Sequence, residues 1–198
     1  MKRALILVDF QNDFCAEGAL EVPGAAKAIV QANTLSSEWS GLVVGTQDWH
    51  PREHKSFAVN NPGSKPFDLI EMPYGEQVLW PAHCIARSHG AALHVGLKTE
   101  RIAAIFRKGM NPEVDSYSGF ADANGEPTGL AAYLHGMGVT DVTVCGLATD
   151  YCVAATAEGA KAAGFDTSVE LRASAGIDPE TTRAALDRMA AIGIHLIK

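Results

Sequence analysis

Short apolar runs separated by helical stretches form the main pattern of this 198-residue chain. The runs are rich in β-branched residues and hardly alternate with polar ones, which is typical of parallel strands buried on both faces. The predicted strands are 3–9, 41–46, 102–107, 141–145, 165–170 and 194–197. The predicted helices are 24–40, 88–97, 128–137, 149–163 and 178–192. This alternation predicts one α/β domain over residues 1–198, a doubly wound parallel sheet of about six strands with helices on both faces.

The polar residues that follow these apolar runs carry chemistry. Four of the predicted strands lead into such residues, which are Asp9, Asp48, His50, Lys108 and Cys152. Because ligands of open α/β sheets bind beyond the carboxyl ends of the strands, we expect these side chains to converge on one edge of the sheet. The set contains a nucleophile, a base, a cation and metal ligands.

Cys152 is the candidate nucleophile because it lies in the first turn of a predicted helix, after a strand and a tight turn. Free N–H groups and partial positive charge at a helix N-terminus favour a thiolate, so we expect a lowered pKa. The same N–H groups could form an oxyanion hole. The alternative is a small buried hydrophobic residue, which is how we interpret Cys15, Cys84 and Cys145.

Two charged residues are candidates to assist Cys152. Asp9 could take the thiol proton and later return it to a leaving group, whereas Asp13 lies further from the strand end. Lys108 could stabilise both Asp9 and a thiolate. Each has an ordinary alternative, since a strand-end aspartate often forms a turn and a strand-end lysine is usually a solvated surface charge.

A metal site is the second candidate feature. Asp48 and His50 are two residues apart, so in an extended segment both side chains point the same way. His83 could supply a third ligand, and His54 is a candidate for a fourth. One carboxylate and two imidazoles suit Zn, Mn or Fe(II). The alternative is a set of ordinary loop histidines.

The segment 47–84 is long and rich in proline, glycine and aromatic residues, which favours a functional loop. Three aromatic side chains fall in loops at the same edge of the sheet, namely Phe14, Trp80 and Tyr117. Loop aromatics commonly pack loops onto the domain. Beside a nucleophile they could instead wall a slot for a flat ring.

Charge and composition exclude other classes of function. The net charge of −7 argues against a nucleic-acid-binding surface, which needs clustered lysine and arginine. No apolar run approaches the length of a membrane span. The N-terminus leads straight into a strand without a signal peptide, so we expect a cytoplasmic protein with free thiols. A homo-oligomer is left open.

Six segments occur together and in one order along the chain. They are VDFQNDF (8–14), TQDWHP (46–51) with His54, WPAHC (80–84), RKG (107–109), VDSYSGF (114–120) and GLATDYCV (146–153). This combination resembles the nicotinamidase/pyrazinamidase family within the isochorismatase-like hydrolases. One segment alone would be a weak signal, but six in order over most of the chain are specific.

The resemblance implies a set of roles. The catalytic residues would be Asp9, Lys108 and Cys152, and a cis peptide would join Leu147 to Ala148. The N–H groups of Ala148 and Cys152 would form the oxyanion hole. One divalent transition metal ion would be held by Asp48, His50 and His83, with zinc expected first and iron or manganese as alternatives. Phe14, Trp80 and Tyr117 would line the nicotinamide slot.

The implied reaction is hydrolysis of nicotinamide, and of pyrazinamide, through a cysteine thioester to the acid and ammonia. A related enzyme acting on another carbamoyl, ureido or amide substrate would keep the same three catalytic residues. Isochorismatase itself fits less well, because its vinyl-ether reaction does not use the cysteine. A metal- or ligand-binding α/β module without turnover is the non-enzyme alternative. The resemblance does not decide whether His54 joins the metal shell.

Overall fold

The computed structural model describes residues 2–198. Its strands are β1 (Lys2–Val8), β2 (Leu42–Asp48), β3 (Leu69–Met72), β4 (Gly75–Val78), β5 (Ala104–Lys108), β6 (Val139–Gly146), β7 (Asp166–Glu170) and β8 (His195–Ile197). Its α-helices are α1 (Ala25–Glu38), α2 (Leu130–Gly136), α3 (Ala154–Ala162) and α4 (Pro179–Ala191). Within residues 2–198, none of the helices has the length and apolar character that crossing a membrane requires.

Over the described residues, six strands form one parallel sheet in the order β5-β2-β1-β6-β7-β8. The chain runs outward from β1 through β2 to β5, then returns to place β6 on the other side of β1. The strand order therefore reverses between β1 and β6, which is where open α/β sheets bind ligands. The predicted doubly wound sheet of about six strands is confirmed.

Both faces of the sheet are buried because successive side chains of each strand point to opposite faces. On β1, Leu5 and Leu7 pack in a cluster that includes the buried face of α1. Ala4, Ile6 and Val8 pack in a second cluster with residues of α2, α3 and α4. This two-sided burial explains why the strands appear in the sequence as continuous apolar runs.

The predicted helix over 88–97 is wrong. The backbone of this segment pairs with the loop after β1 instead: the carbonyls of Gly90 and Ala92 each accept a backbone N–H, from Asp13 and Asn12, at 3.0 Å. A side chain at Gly90 would meet the Asp13 carboxylate within 2.0 Å, so the two loops approach closely. Tertiary hydrogen bonds thus replace the helical ones that the local pattern favours.

The long segment 47–84 contains the hairpin of β3 and β4, which the sequence pattern did not indicate. Its strands have four residues each and are largely exposed or half-buried, so they carry little apolar alternation. The edge strand β5 is shifted toward its carboxyl end relative to the prediction, because Lys108 still pairs with Asp48 in the ladder.

The turn between β6 and α3 is irregular. A cis peptide joins Leu147 to Ala148, as the resemblance implied. The predicted helix from Thr149 begins with a turn of π-helix over Thr149–Val153 before α3 starts. Cys152 therefore lies within this π-helical turn, between the end of β6 and the start of α3.

Gly146 is expected to be sensitive to substitution. It has φ of +141°, and a Cβ there would lie 2.1 Å from the Val8 carbonyl oxygen. Gly146→Ala should therefore lower the free energy of unfolding by about 3 kcal/mol, measured by urea denaturation. Gly136→Ala is the matched control, because no atom lies within 4 Å of its Cβ position in α2. Equal unfolding midpoints for the two variants would contradict the argument.

Candidate active site

Asp9, Lys108 and Cys152 meet at the switch point of the sheet. Asp9 follows β1, Lys108 ends β5, and Cys152 lies in the turn after β6. Lys108 Nζ lies 2.9 Å from Asp9 Oδ2 and 3.3 Å from Cys152 Sγ. A carboxylate oxygen of Asp9 lies within 4.8 Å of the sulfur. The convergence expected from the strand ends is therefore present.

Lys108 is a fully buried cation with more acceptors around it than protons. It donates hydrogen bonds to Asp48 Oδ1, to the Ser116 carbonyl at 3.1 Å and to Cys152 Sγ. An ammonium carries three N–H groups, which these acceptors share with Asp9 Oδ2, an ion-pair partner at 2.9 Å. No other described residue donates a hydrogen bond to this oxygen. A carboxylate oxygen has two lone pairs, so Oδ2 can still accept a proton.

The other oxygen of Asp9 is fixed in place. Thr46, on β2, donates its hydroxyl to Asp9 Oδ1 at 2.6 Å. Burial raises the pKa of Asp9 above its ordinary value, and Asp48 adds to this, whereas Lys108 and Thr46 lower it. A carboxylate with a raised pKa is a stronger proton acceptor. Asp13 cannot compete for this place, because its Oδ2 accepts the Cys84 backbone N–H at 2.7 Å.

The expected lowering of the Cys152 pKa is wrong. Burial raises the pKa of the thiol well above its ordinary value; Lys108 opposes this, and the carboxylates of Asp9 and Asp48 reinforce it. Desolvation of a charged sulfur therefore outweighs the favourable start of the helix. The resting residue is a neutral thiol, so a nearby base must remove its proton before the sulfur can attack.

The backbone around Cys152 follows the π-helical turn. The Ala148 carbonyl accepts hydrogen bonds from Tyr151 N–H at 3.1 Å and from Val153 N–H at 3.0 Å. These donors flank Cys152 in the sequence, and the Ala148 carbonyl does not bind the Cys152 N–H. Ala148 and Cys152 both border the cleft described below.

Asp48, His50 and His83 form a compact set whose ligand atoms all lie within 4.8 Å of one another. Asp48 Oδ2 lies 3.5 Å from His50 Nε2 and 3.8 Å from His83 Nε2. His50 Nδ1 contacts the Gly109 carbonyl at 3.0 Å, and His83 Nδ1 contacts the Pro81 carbonyl at 2.8 Å.

These contacts set the tautomer that each ring adopts when it is neutral. A carbonyl only accepts hydrogen bonds, so each Nδ1 carries a proton, and in the neutral ring each Nε2 then has a lone pair that faces Asp48. Two nitrogen lone pairs and a carboxylate oxygen directed at one another fit a divalent cation, and the backbone carbonyls hold the rings for it. The residues present can therefore bind a metal ion.

His54 is buried beside this set. Its Nδ1 contacts Ser56 Oγ at 2.7 Å, and its ring centroid lies 4.4 Å from that of His50. Burial lowers the pKa of His54 to about 4, which keeps the ring neutral. His50, His54 and Asp115 form a second group of ligand atoms within 4.8 Å. Because His50 Nδ1 is bound to the Gly109 carbonyl, His50 has one nitrogen left and can serve only one of the two groups at a time.

A narrow cleft is lined by Cys152 and by the two histidines of the metal-ligand set. Phe14, Trp80 and Tyr117 line it, as expected, and Trp80 Nε1 donates a hydrogen bond to Tyr117 Oη at 3.1 Å. The sequence analysis missed further lining residues, which are Leu20, Asp115, Ser116, Tyr151 and Ile177. Tyr151 adjoins Cys152 and could have been found, whereas Leu20 and Ile177 carry no signal in the sequence.

A doubly wound parallel sheet with reactive residues at its switch point defines an open-sheet α/β protein that binds its ligand beyond the strand ends. The sequence defines this further, because residues 3–198 match the isochorismatase domain family. The chain therefore belongs to that family, and the resemblance noted from its motifs is confirmed.

Individual relatives are similar over at least 91% of their own length. The nicotinamidase of Acinetobacter baylyi is 44% identical over 98% of this chain and 91% of its own. PnC1 from L. infantum, known from a crystal structure in complex with nicotinate, has 38% sequence identity to this chain. Its structure superimposes with a TM-score of 0.89, and the match covers 100% of this chain and 92% of that one. The pyrazinamidase of Pyrococcus horikoshii, known from a crystal structure in complex with zinc, has 37% sequence identity to this chain. Its TM-score is 0.83, and the match covers 100% of this chain and 99% of that one.

Cys152 should react with iodoacetamide faster than the other three thiols, because it borders the cleft and lies near a base. Asp9→Asn keeps the shape of the side chain but cannot accept the thiol proton, so it should slow this labelling. Peptide mass spectrometry at neutral pH measures both rates. Faster labelling of Cys15 or Cys84 would contradict the assignment of Cys152 as the nucleophile. An unchanged labelling rate in Asp9→Asn would contradict the assignment of Asp9 as the base.

Proposed function

We propose that residues 1–198 form a single hydrolase domain that converts nicotinamide, and pyrazinamide, to the corresponding acid and ammonia. One observation carries the proposal. The ammonium of Lys108 contacts Cys152, its candidate base Asp9 and the metal-ligand candidate Asp48, beside a cleft lined by aromatic residues. The relatives named nicotinamidase, and the relative crystallised with nicotinate, support this choice of substrate.

The first half of the reaction would form a thioester. Asp9 Oδ2 takes the proton of Cys152, and the sulfur attacks the carboxamide carbon. The N–H groups of Ala148 and Cys152 stabilise the oxyanion. Asp9 then gives its proton to the departing nitrogen, so that ammonia leaves and the acyl group stays on the sulfur.

The second half would regenerate the enzyme. Asp9, again ionised, removes a proton from a water molecule, whose oxygen attacks the thioester carbon. The carbon–sulfur bond breaks, nicotinate is released, and the proton on Asp9 returns to Cys152. Lys108 stays charged throughout and compensates for the thiolate and the carboxylate in turn, because Asp48 and Asp9 hold its pKa well above the ordinary value despite burial.

The metal set would orient the substrate. We assign Asp48, His50 and His83 to one divalent ion, zinc first because a relative was crystallised with zinc, and iron or manganese as alternatives. When bound, such an ion supplies a Lewis acid to which the ring nitrogen can bind, directly or through water. Phe14, Trp80 and Tyr117 would hold the flat faces of the ring.

We also propose that the protein acts in the cytoplasm. The four cysteines are free buried thiols, and the proposed chemistry requires Cys152 to remain reduced. A reducing compartment maintains that state. The proposed ligand is a small molecule, and the net charge of −7 offers little attraction to nucleic acid.

Removing the nucleophile should abolish turnover. Cys152→Ala is expected to lower kcat by at least about 1,000-fold in an ammonia-release assay with nicotinamide, because Cys152 is the one cysteine among the described residues that line the cleft. Cys145→Ala, in β6 behind the site, is the matched control and should keep most of the activity. Asp9→Asn and Lys108→Ala should each be severely impaired. A near-normal rate in Cys152→Ala, Asp9→Asn or Lys108→Ala would exclude that residue from the proposed mechanism.

The ring nitrogen should matter as much as the carboxamide. Benzamide has the size and carboxamide of nicotinamide but offers no ring nitrogen, and a site built around a polar contact rejects an analogue that lacks it. Its kcat/KM should be at least ~100-fold lower than that of nicotinamide, while pyrazinamide, which keeps the nitrogen, should remain a substrate. Equal kcat/KM values for benzamide and nicotinamide would show that the metal-ligand set does not recognise the ring nitrogen. Turnover of only ureido or carbamoyl compounds would favour the alternative substrate class.

A further inference from the structure

Gln11 has a buried side chain whose amide is fully engaged with backbone groups. Its Oε1 accepts the backbone N–H of Asp48 at 2.8 Å, and its Nε2 donates to the Asp48 carbonyl at 2.8 Å. The second N–H on Nε2 goes to the Ala91 carbonyl at 2.9 Å. The side chain thus binds both polar groups of Asp48's own backbone, although it lies in the loop after β1.

This contact replaces a missing piece of the sheet. The ladder between β1 and β2 ends at Leu7 and Gly45, because the chain turns away at Asp9, where φ is 50°. On its other side Asp48 is still paired with Lys108 in β5. The Gln11 amide has the donor and the acceptor of a peptide group, so it continues the hydrogen bonding that β1 no longer provides.

We propose that Gln11 is a positioning residue for metal binding, which holds Asp48 where its Oδ2 faces His50 and His83. The inference rests on the metal set of the proposed function. Each histidine ring of that set is held by a backbone carbonyl, and Gln11 fixes the backbone from which the carboxylate ligand projects. Loss of such an outer contact typically weakens metal binding about 10- to 100-fold.

Gln47 provides a matched control. It is buried in the same region, and its Nε2 donates to the same Ala91 carbonyl at 2.9 Å. Its Oε1 accepts from Arg107 Nε at 3.2 Å. Gln47→Met therefore removes a buried amide bonded to the same acceptor, but leaves both contacts between Gln11 and the Asp48 backbone in place.

The test is a Zn²⁺ titration of the full chain against a chromophoric chelator. Gln11→Met, which is close in volume and cannot form hydrogen bonds of this kind, should raise the Kd for Zn²⁺ by about 10- to 100-fold. Gln47→Met should leave the Kd essentially unchanged. Thermal unfolding of the metal-free proteins measures general destabilisation separately, and excess Zn²⁺ should restore the turnover of Gln11→Met.

A second variant keeps the inference testable if Gln11→Met does not fold. Gln11→Asn retains the amide but is one methylene too short to span both groups of Asp48, so it should also raise the Kd. An unchanged Kd in the Gln11 variants would overturn the inference, and so would equal weakening in Gln47→Met. Failure of the unmodified protein to bind Zn²⁺ would remove the metal set itself, and with it this role of Gln11.

Discussion

The buried ammonium of Lys108 is the interaction on which the rest of the site depends. A charge removed from water needs compensation, and here two carboxylates supply it, Asp9 and Asp48. Asp48 turns its other oxygen toward two histidines, while Asp9 turns toward the sulfur of Cys152. One cation therefore links the candidate nucleophile and the candidate metal set, so their electrostatics cannot be adjusted independently.

The fold makes this geometry available. Asp48 and Lys108 are direct partners in the β2–β5 ladder, and Asp9 leaves β1 on the other side of β2. A lysine is long enough to reach across β2 from an edge strand, and its buried stem packs within the sheet edge. The return of the chain to β6 then places Cys152 above the same point, which is why the site lies at the switch between β1 and β6.

The sequence predicts the parts of this arrangement that depend on local pattern. Buried parallel strands are continuous apolar runs, so most of the sheet and the residues at its strand ends were predictable. The segment 88–97 was not, because its hydrogen bonds go to a distant loop. The contact of Gln11 with the Asp48 backbone was equally hidden, since nothing in a local pattern shows that two strands stop pairing at Gly45. The Cys152 pKa depends on burial, which is a property of the whole fold.

A raised thiol pKa is consistent with a cysteine nucleophile in this setting. A thiolate formed by losing its proton to bulk water would add a negative charge to a buried cluster that already holds two carboxylates and one ammonium. Transfer of the proton to Asp9 creates the thiolate and removes one carboxylate charge at the same time, so the net charge of the cluster stays constant. Burial therefore opposes release of the Cys152 proton to bulk water, but it does not oppose transfer of that proton to Asp9. In such a cluster the proximity of the Asp9 carboxylate to Cys152 is a more important requirement than a low pKa for the isolated thiol.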